Sequence, residues 1–178
     1  MKPKMKDQML LWFEREVTGN PAILGDPPFV TIRVYNKAED KHPAHEVVDI
    51  VFREAEIPNN DLYPHVELVV WCSPVVSEEK NLISYVDMLV NMDYIVSQSY
   101  DRSTGSWFDP IVGTRQIAVL FYHSIASVME VIRDIRYIEV YQDYEFAVVS
   151  PDTRWANVLK SQGIVFVQAP DDFAEGVI

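Results

Sequence analysis

A chain of 178 residues with 48% hydrophobic and 12% aromatic content can fill one core, is short for two, and is too rich in large side chains for disorder. Its 27 acids against 15 bases leave a net charge of −12, which repels nucleic acid unless a basic patch gathers, and the densest basic run is only Lys2, Lys4 and Lys6. No apolar run approaches the roughly 18 residues that span a membrane, and Glu14, Arg15 and Glu16 fall where a secretory signal would need an apolar stretch.

In chain order, Met5, Met9, Trp12, Phe13 and Val17 share one face of a predicted helix over 4–18 that ends near Gly19. The Gly and Pro clusters of 19–28 lead into a strand over Phe29 to Tyr35, rich in β-branched and aromatic residues. Residues 36–45 read as a polar connection. Glu46 to Arg53 alternates as a half-buried strand, with Val48, Ile50 and Phe52 on one side. The stretch Ile57 to Pro64 then turns the chain. Cys72, the single cysteine, excludes an internal disulfide, and its place in an apolar run predicts a buried, inert thiol.

The most informative pattern occurs twice, over 65–100 and over 115–142. In the first copy a β-rich run from His65 to Cys72 precedes Leu82, Tyr85, Val86, Leu89 and Met92 at helical spacing, with Ser77 placed as the cap and Glu78 and Glu79 in the first turn. In the second, the run Gln116 to Tyr122 precedes Ile125, Val128, Met129, Ile132 and Ile135, with Ser124 as the cap. Each predicted helix is followed by a Tyr-Ile strand, Tyr94 to Val96 and Tyr137 to Val140. A strand over Tyr144 to Val149 comes next. A helix is expected to start at Ser150-Pro151-Asp152 and stop at Gly163, before a strand over Ile164 to Val167 and an acidic tail from Ala169 to Ile178.

These elements predict one α+β domain: an antiparallel or mixed sheet with a ferredoxin-like β-α-β-β-α-β core, within 65–168, to which 1–57 adds a helix and strands. Order alone leaves the strand arrangement open.

Candidate chemistry is sparse. His42, His45 and Glu46, with His65 across a turn, are metal-ligating types, but Pro43 breaks the helix that would aim the imidazoles together, and a solvated loop explains them. Asp101, Ser103, Thr104, Ser106 and Asp109 resemble a phosphate loop in residue type, yet only Gly105 and Arg102 supply the glycine and cation such a cradle needs. His123, beside Ser124, has the chemistry of a general base that Asp134 or Asp143 would orient; the capping role expected of Ser124 explains that residue without catalysis. No catalytic residue, metal ligand or cofactor is therefore assigned. Trp107 and Phe108, beside a polar loop tip, and Arg154 with Trp155, are residue types that anchor protein interfaces.

The reading that follows is a non-enzymatic structural or assembly protein, a homo-oligomer or a subunit packed against partner proteins, made in the cytoplasm or assembled into a particle there. Ring or connector subunits of viral particles fit by analogy. Neither membrane nor direct nucleic-acid binding is expected. Two alternatives are an acidic inhibitor that imitates nucleic acid to block a protein that binds it, and a small hydrolase or transferase, which would need His123, His45, His65, Asp101 and Asp134 to converge.

Overall fold

The computed structural model describes residues 3–25, 30–35, 46–52, 63–101, 103–108 and 110–173. The expected polar connection at 36–45, with His42 and His45, lies outside them. In chain order the elements are α1 (Pro3–Gly19), β1 (Val30–Tyr35), β2 (Glu46–Phe52), β3 (His65–Val76), β4 (Leu82–Asp101), β5 (Ser106–Trp107), β6 (Ile111–Phe121), α2 (Val128–Glu139), β7 (Glu145–Ser150), α3 (Ala156–Ser161) and β8 (Val165–Gln168). The architecture is α+β with a mixed sheet. Two compact units form, one from Met1–Gly25, Val66–Met92 and Arg115–Ile178, the other from Asp26–His65 and Asp93–Thr114.

In the first unit the strand order is β3-β4-β6-β7-β8. β6, β7 and β8 run parallel, with Ala118 opposite Phe146 and Ala147 opposite Val165. Parallel neighbours need crossover segments, and α2 and α3 are those segments. Alternation along the strands feeds two cores. Ala118, Leu120, Phe146, Val148 and Leu89 pack with Val131, Ile135 and Ile138 of α2 and Leu159 of α3. Ile117, Val119, Phe121, Ala147, Val149, Met88 and Val90 pack with Met9, Phe13 and Val17 of α1. A strand covered on both faces reads as an unbroken apolar run, as these do.

Arg115, at the start of the first unit's share of β6, is buried yet satisfied. Its Nε and Nη2 each donate to the Glu145 carboxylate at 2.8 Å, and Nη1 donates to the Gly25 carbonyl at 3.2 Å. The paired geometry is the strong form of this interaction, and it ties the short 3-10 turn Pro21–Leu24 to the sheet.

In the second unit β1 pairs antiparallel with β2 and parallel with β4, Thr31 lying opposite Ser97, and the two-residue β5 pairs antiparallel with β4. Thr114 Oγ1 donates to Asp93 at 2.9 Å, while a Cβ on Gly113 would stand 2.7 Å from a Val96 methyl, so a side chain there would force Val96 to move.

Several expectations need correcting. Residues 82–92 are strand, not helix, so the elements after residue 65 do not give a β-α-β-β-α-β order. Ser77 caps no helix: it closes a hairpin turn, its N–H donating to the Asn81 carbonyl at 2.9 Å and its hydroxyl accepting from the Asn81 N–H. Tyr137 to Glu139 continue α2 instead of starting a strand, because Ile138 extends the buried stripe of Val131 and Ile135 and Arg136 pairs with Glu139 one turn along. The α2 cap is Ser127, whose hydroxyl accepts from the Glu130 N–H, and not Ser124. Ser150 ends β7, Pro151 and Asp152 lie in the bend and loop beyond it, and α3 begins at Ala156. Cys72 is exposed; its φ of 51° puts a kink in β3 that turns the residue outward.

Candidate interaction surfaces

Of the residues with chemical potential, His123 and Asp101 hold local structure in place. His123, directly beyond the end of β6, is buried, and its Nδ1–H donates to the Phe173 carbonyl, fastening the 3-10 turn Asp171–Phe173. Its Nε2 meets no partner among the described residues. Neither Ser124 nor Asp134 is bonded to it: Ser124 is exposed, and Asp134 stands on the outer face of α2 beside Arg133. Asp101 is buried in the other unit, where Oδ1 accepts from the Ser103 N–H at 2.8 Å and hydroxyl at 2.7 Å. The Ser103 hydroxyl, ahead of the backbone bonds, holds the Asp101 carboxyl below its ordinary pKa. This bracing of a tight turn explains the loop without a phosphate. Ser106 pairs within β5, Thr104 is exposed, and Arg102 and Asp109 lie outside the described residues. His65 is exposed, and no metal-ligating cluster occurs among the described residues.

Two of the four interface candidates carry bonds that join the loops following β6 and β7. The Trp155 indole N–H donates to the Ile125 carbonyl at 3.1 Å. Arg154 reaches Asp152 through Nε at 2.9 Å and Nη2 at 2.7 Å, and its guanidinium stands 5.9 Å from the Trp155 ring. Asp152 also accepts from the Ile125 N–H at 2.9 Å. The bond from Arg154 is the main reason that the Asp152 carboxyl sits well below the usual carboxylate range. In the second unit, Trp107 packs at a tilt of 45° against its cross-strand neighbour Tyr100 with centroids 4.9 Å apart, and Phe108 donates its N–H to the Ser99 carbonyl. Both aromatics are half-buried.

Two surfaces of the first unit are more open, and neither was singled out by composition. The first is the end of the β3–β4 hairpin. The bond from Ser77 N–H to Asn81 sets the register, placing Val76 opposite Leu82 and Val75 opposite Ile83. Strand alternation then sends Val75 and Ile83 into the core and leaves Val76 and Leu82 outside, Leu82 being 55% exposed. Tyr85, three residues along β4 from Leu82, is also exposed. The second is a groove of about 410 Å³ lined by Ala22, Ile23, Ile164, Val165, Phe166 and the exposed Lys160. Its floor follows from how α3 ends. The Ile164 N–H bonds the Leu159 carbonyl and the Gly163 N–H bonds Lys160, a Schellman ending for which Gly163 adopts φ of 75°. The chain therefore turns sharply into β8, leaving a shelf beside the Pro21–Leu24 turn.

The exposed face of α2 interleaves Glu130, Asp134 and Glu139 with Arg133 and Arg136. No described helix is long and apolar enough to cross a membrane. Compared with known proteins, the chain matches no family model, no curated protein and no solved structure.

Proposed function

We propose that this chain is a non-enzymatic assembly protein that packs against further copies of itself or against partner proteins. The observation that carries the reading is the hairpin end, where Val76 and Leu82, opposite each other across the hairpin, are exposed although Val75 and Ile83 beside them enter the core. Large apolar side chains grouped on a surface cost hydration free energy unless something covers them, roughly 25 cal/mol per Å² left in water. A ring or connector subunit of a particle is the narrower form of this proposal. The mixed charges along α2 give little support to an inhibitor shaped as rows of phosphates, and the structural bonds of His123 and Asp101, with Asp134 exposed beside Arg133, give little to a hydrolase.

The test is solution mass by light scattering at low and moderate salt, for the natural chain and for Leu82→Glu with Tyr85→Ser. A discrete oligomer that survives salt and is dispersed by the double substitution is the expected result. A monomer at every concentration would remove self-association, and unchanged oligomers in the variant would remove the hairpin as the contact.

A further inference from the structure

We infer that the hairpin end of one copy seats in the groove beside β8 of a second copy, head to tail. This inference rests on the self-association proposed above and names its two surfaces and its partner, a second copy of this chain.

The two surfaces both carry apolar side chains and are complementary in charge. The hairpin end projects Val76 and Leu82 behind a turn that carries Glu78 and Glu79, both exposed. The groove offers Ile23, Ile164 and Phe166, and the charged residue in its lining is Lys160. In a chain with 27 acids and 15 bases an apolar groove whose charge is positive is unusual, and among the described residues Lys160 forms no ion pair. The turn's own Lys80 leaves the hairpin end with one net negative charge, which matches the single lysine.

Within one molecule the two surfaces do not meet. β3 and β8 are the two outer strands of the first unit's sheet, separated by β4, β6 and β7. The Gln142 side-chain amide donates to the Val76 carbonyl at 3.4 Å, which sets the hairpin end beside the loop between α2 and β7, whereas the groove lies between the Pro21–Leu24 turn and the start of β8. Val76 and Leu82 stay exposed there, so the contact proposed is one between copies.

Such an interface uses different patches on its two sides, so it repeats: it closes into a ring when the rotation per copy allows and otherwise extends as a filament. It is a contact of side chains and not an added strand. Pro74 lacks an N–H and Cys72 bends the chain, so β3 cannot offer a regular ladder.

The test uses charge reversal at exposed positions of the full chain, with light scattering as the readout and circular dichroism to confirm folding. Lys160→Glu alone and Glu78→Lys with Glu79→Lys alone should each weaken association by roughly tenfold or more. Mixing the two variants in equal amounts should restore it, because each reversed groove then meets an opposite tip and each unreversed groove likewise. Association that ignores Lys160→Glu, or that is lost in both variants and not recovered on mixing, overturns the inference and leaves self-association through another surface. A natural chain that stays monomeric at all concentrations overturns the inference and self-association together.

Discussion

Residues 82–92 and 125–135 carry the same apolar spacing, yet one is the start of β4 and the other leads into and forms most of α2. The difference lies in the positions between the spaced residues. In α2 these are Val131, which widens the buried stripe, and the charged Glu130, Arg133 and Asp134, which give the helix a solvated side. In β4 they include Ile83, Met88 and Val90, leaving only Ser84, Asp87 and Asn91 as polar residues. An amphipathic helix needs its polar side as much as its apolar one. Met88 and Leu89, adjacent in sequence, enter opposite cores, which a strand permits and a one-sided surface helix does not.

The largest effects should expose this contrast directly. Met88→Ala and Leu89→Ala should each cost about 2–5 kcal/mol in denaturant unfolding, since each leaves a cavity in a packed core. The neighbouring pair Ile132→Ala and Arg133→Ala should divide instead, the first costing a similar amount and the second within about 0.5 kcal/mol. If Leu89→Ala and Met88→Ala divided in the same way, two-faced burial of β4 would be wrong.

Much of the architecture was legible because one-sided or fully buried patterns leave plain signals. The burial of Met9, Phe13 and Val17 on α1 follows the expected face, and β1, β2, β6, β7 and β8 fall where β-branched runs predicted them. The misreadings share a cause: local signals that tertiary bonds redirect. The Ser-Pro-Asp sequence at 150–152 has the composition of a helix start, but its aspartate is drawn to the Ile125 N–H and to Arg154, and α3 is delayed to residue 156. The hairpin end was hidden for the same reason, since Leu82 and Tyr85 counted as core while they were assigned to a helix. The groove depends on the joint placement of Pro21–Leu24 and β8, which no local pattern encodes.

The loop network that joins the ends of β6 and β7 sharpens the contrast at intermediate size, because the hairpin has no charged counterpart tying its turn. Asp152→Asn should destabilise by on the order of 1–2 kcal/mol at neutral pH, as charge-assisted bonds weaken. The folded-state pKa of Asp152 is depressed, so its contribution is present above the ordinary value of 3.8 and fades as pH falls below it. Chemical denaturation from pH 7 down to pH 2 should therefore show the natural chain and the variant converging in acid. A constant gap would mean that the carboxylate's charge is not what matters. Ser127→Ala should cost about 1 kcal/mol through loss of the α2 cap, with a loss of helical signal, whereas Ser77→Ala should leave that signal unchanged because its hydroxyl serves a turn.

The smallest effect discriminates most finely, because it involves no core. Leu82 is 55% exposed and Met129 is 67% exposed, so threonine at either place changes backbone preference more than packing. Threonine is among the weaker helix formers, its branched side chain losing rotamers against the preceding turn, while a pleated surface accommodates it well. Met129→Thr should thus lower stability by about 0.5 kcal/mol, and Leu82→Thr should change it by less, in dilute samples where association does not contribute. Equal losses at the two sites would place the region around Leu82 in a helix in solution. A gain at Leu82 accompanied by weaker self-association would separate the two demands on that position, one from the strand that holds it and one from the surface that it offers.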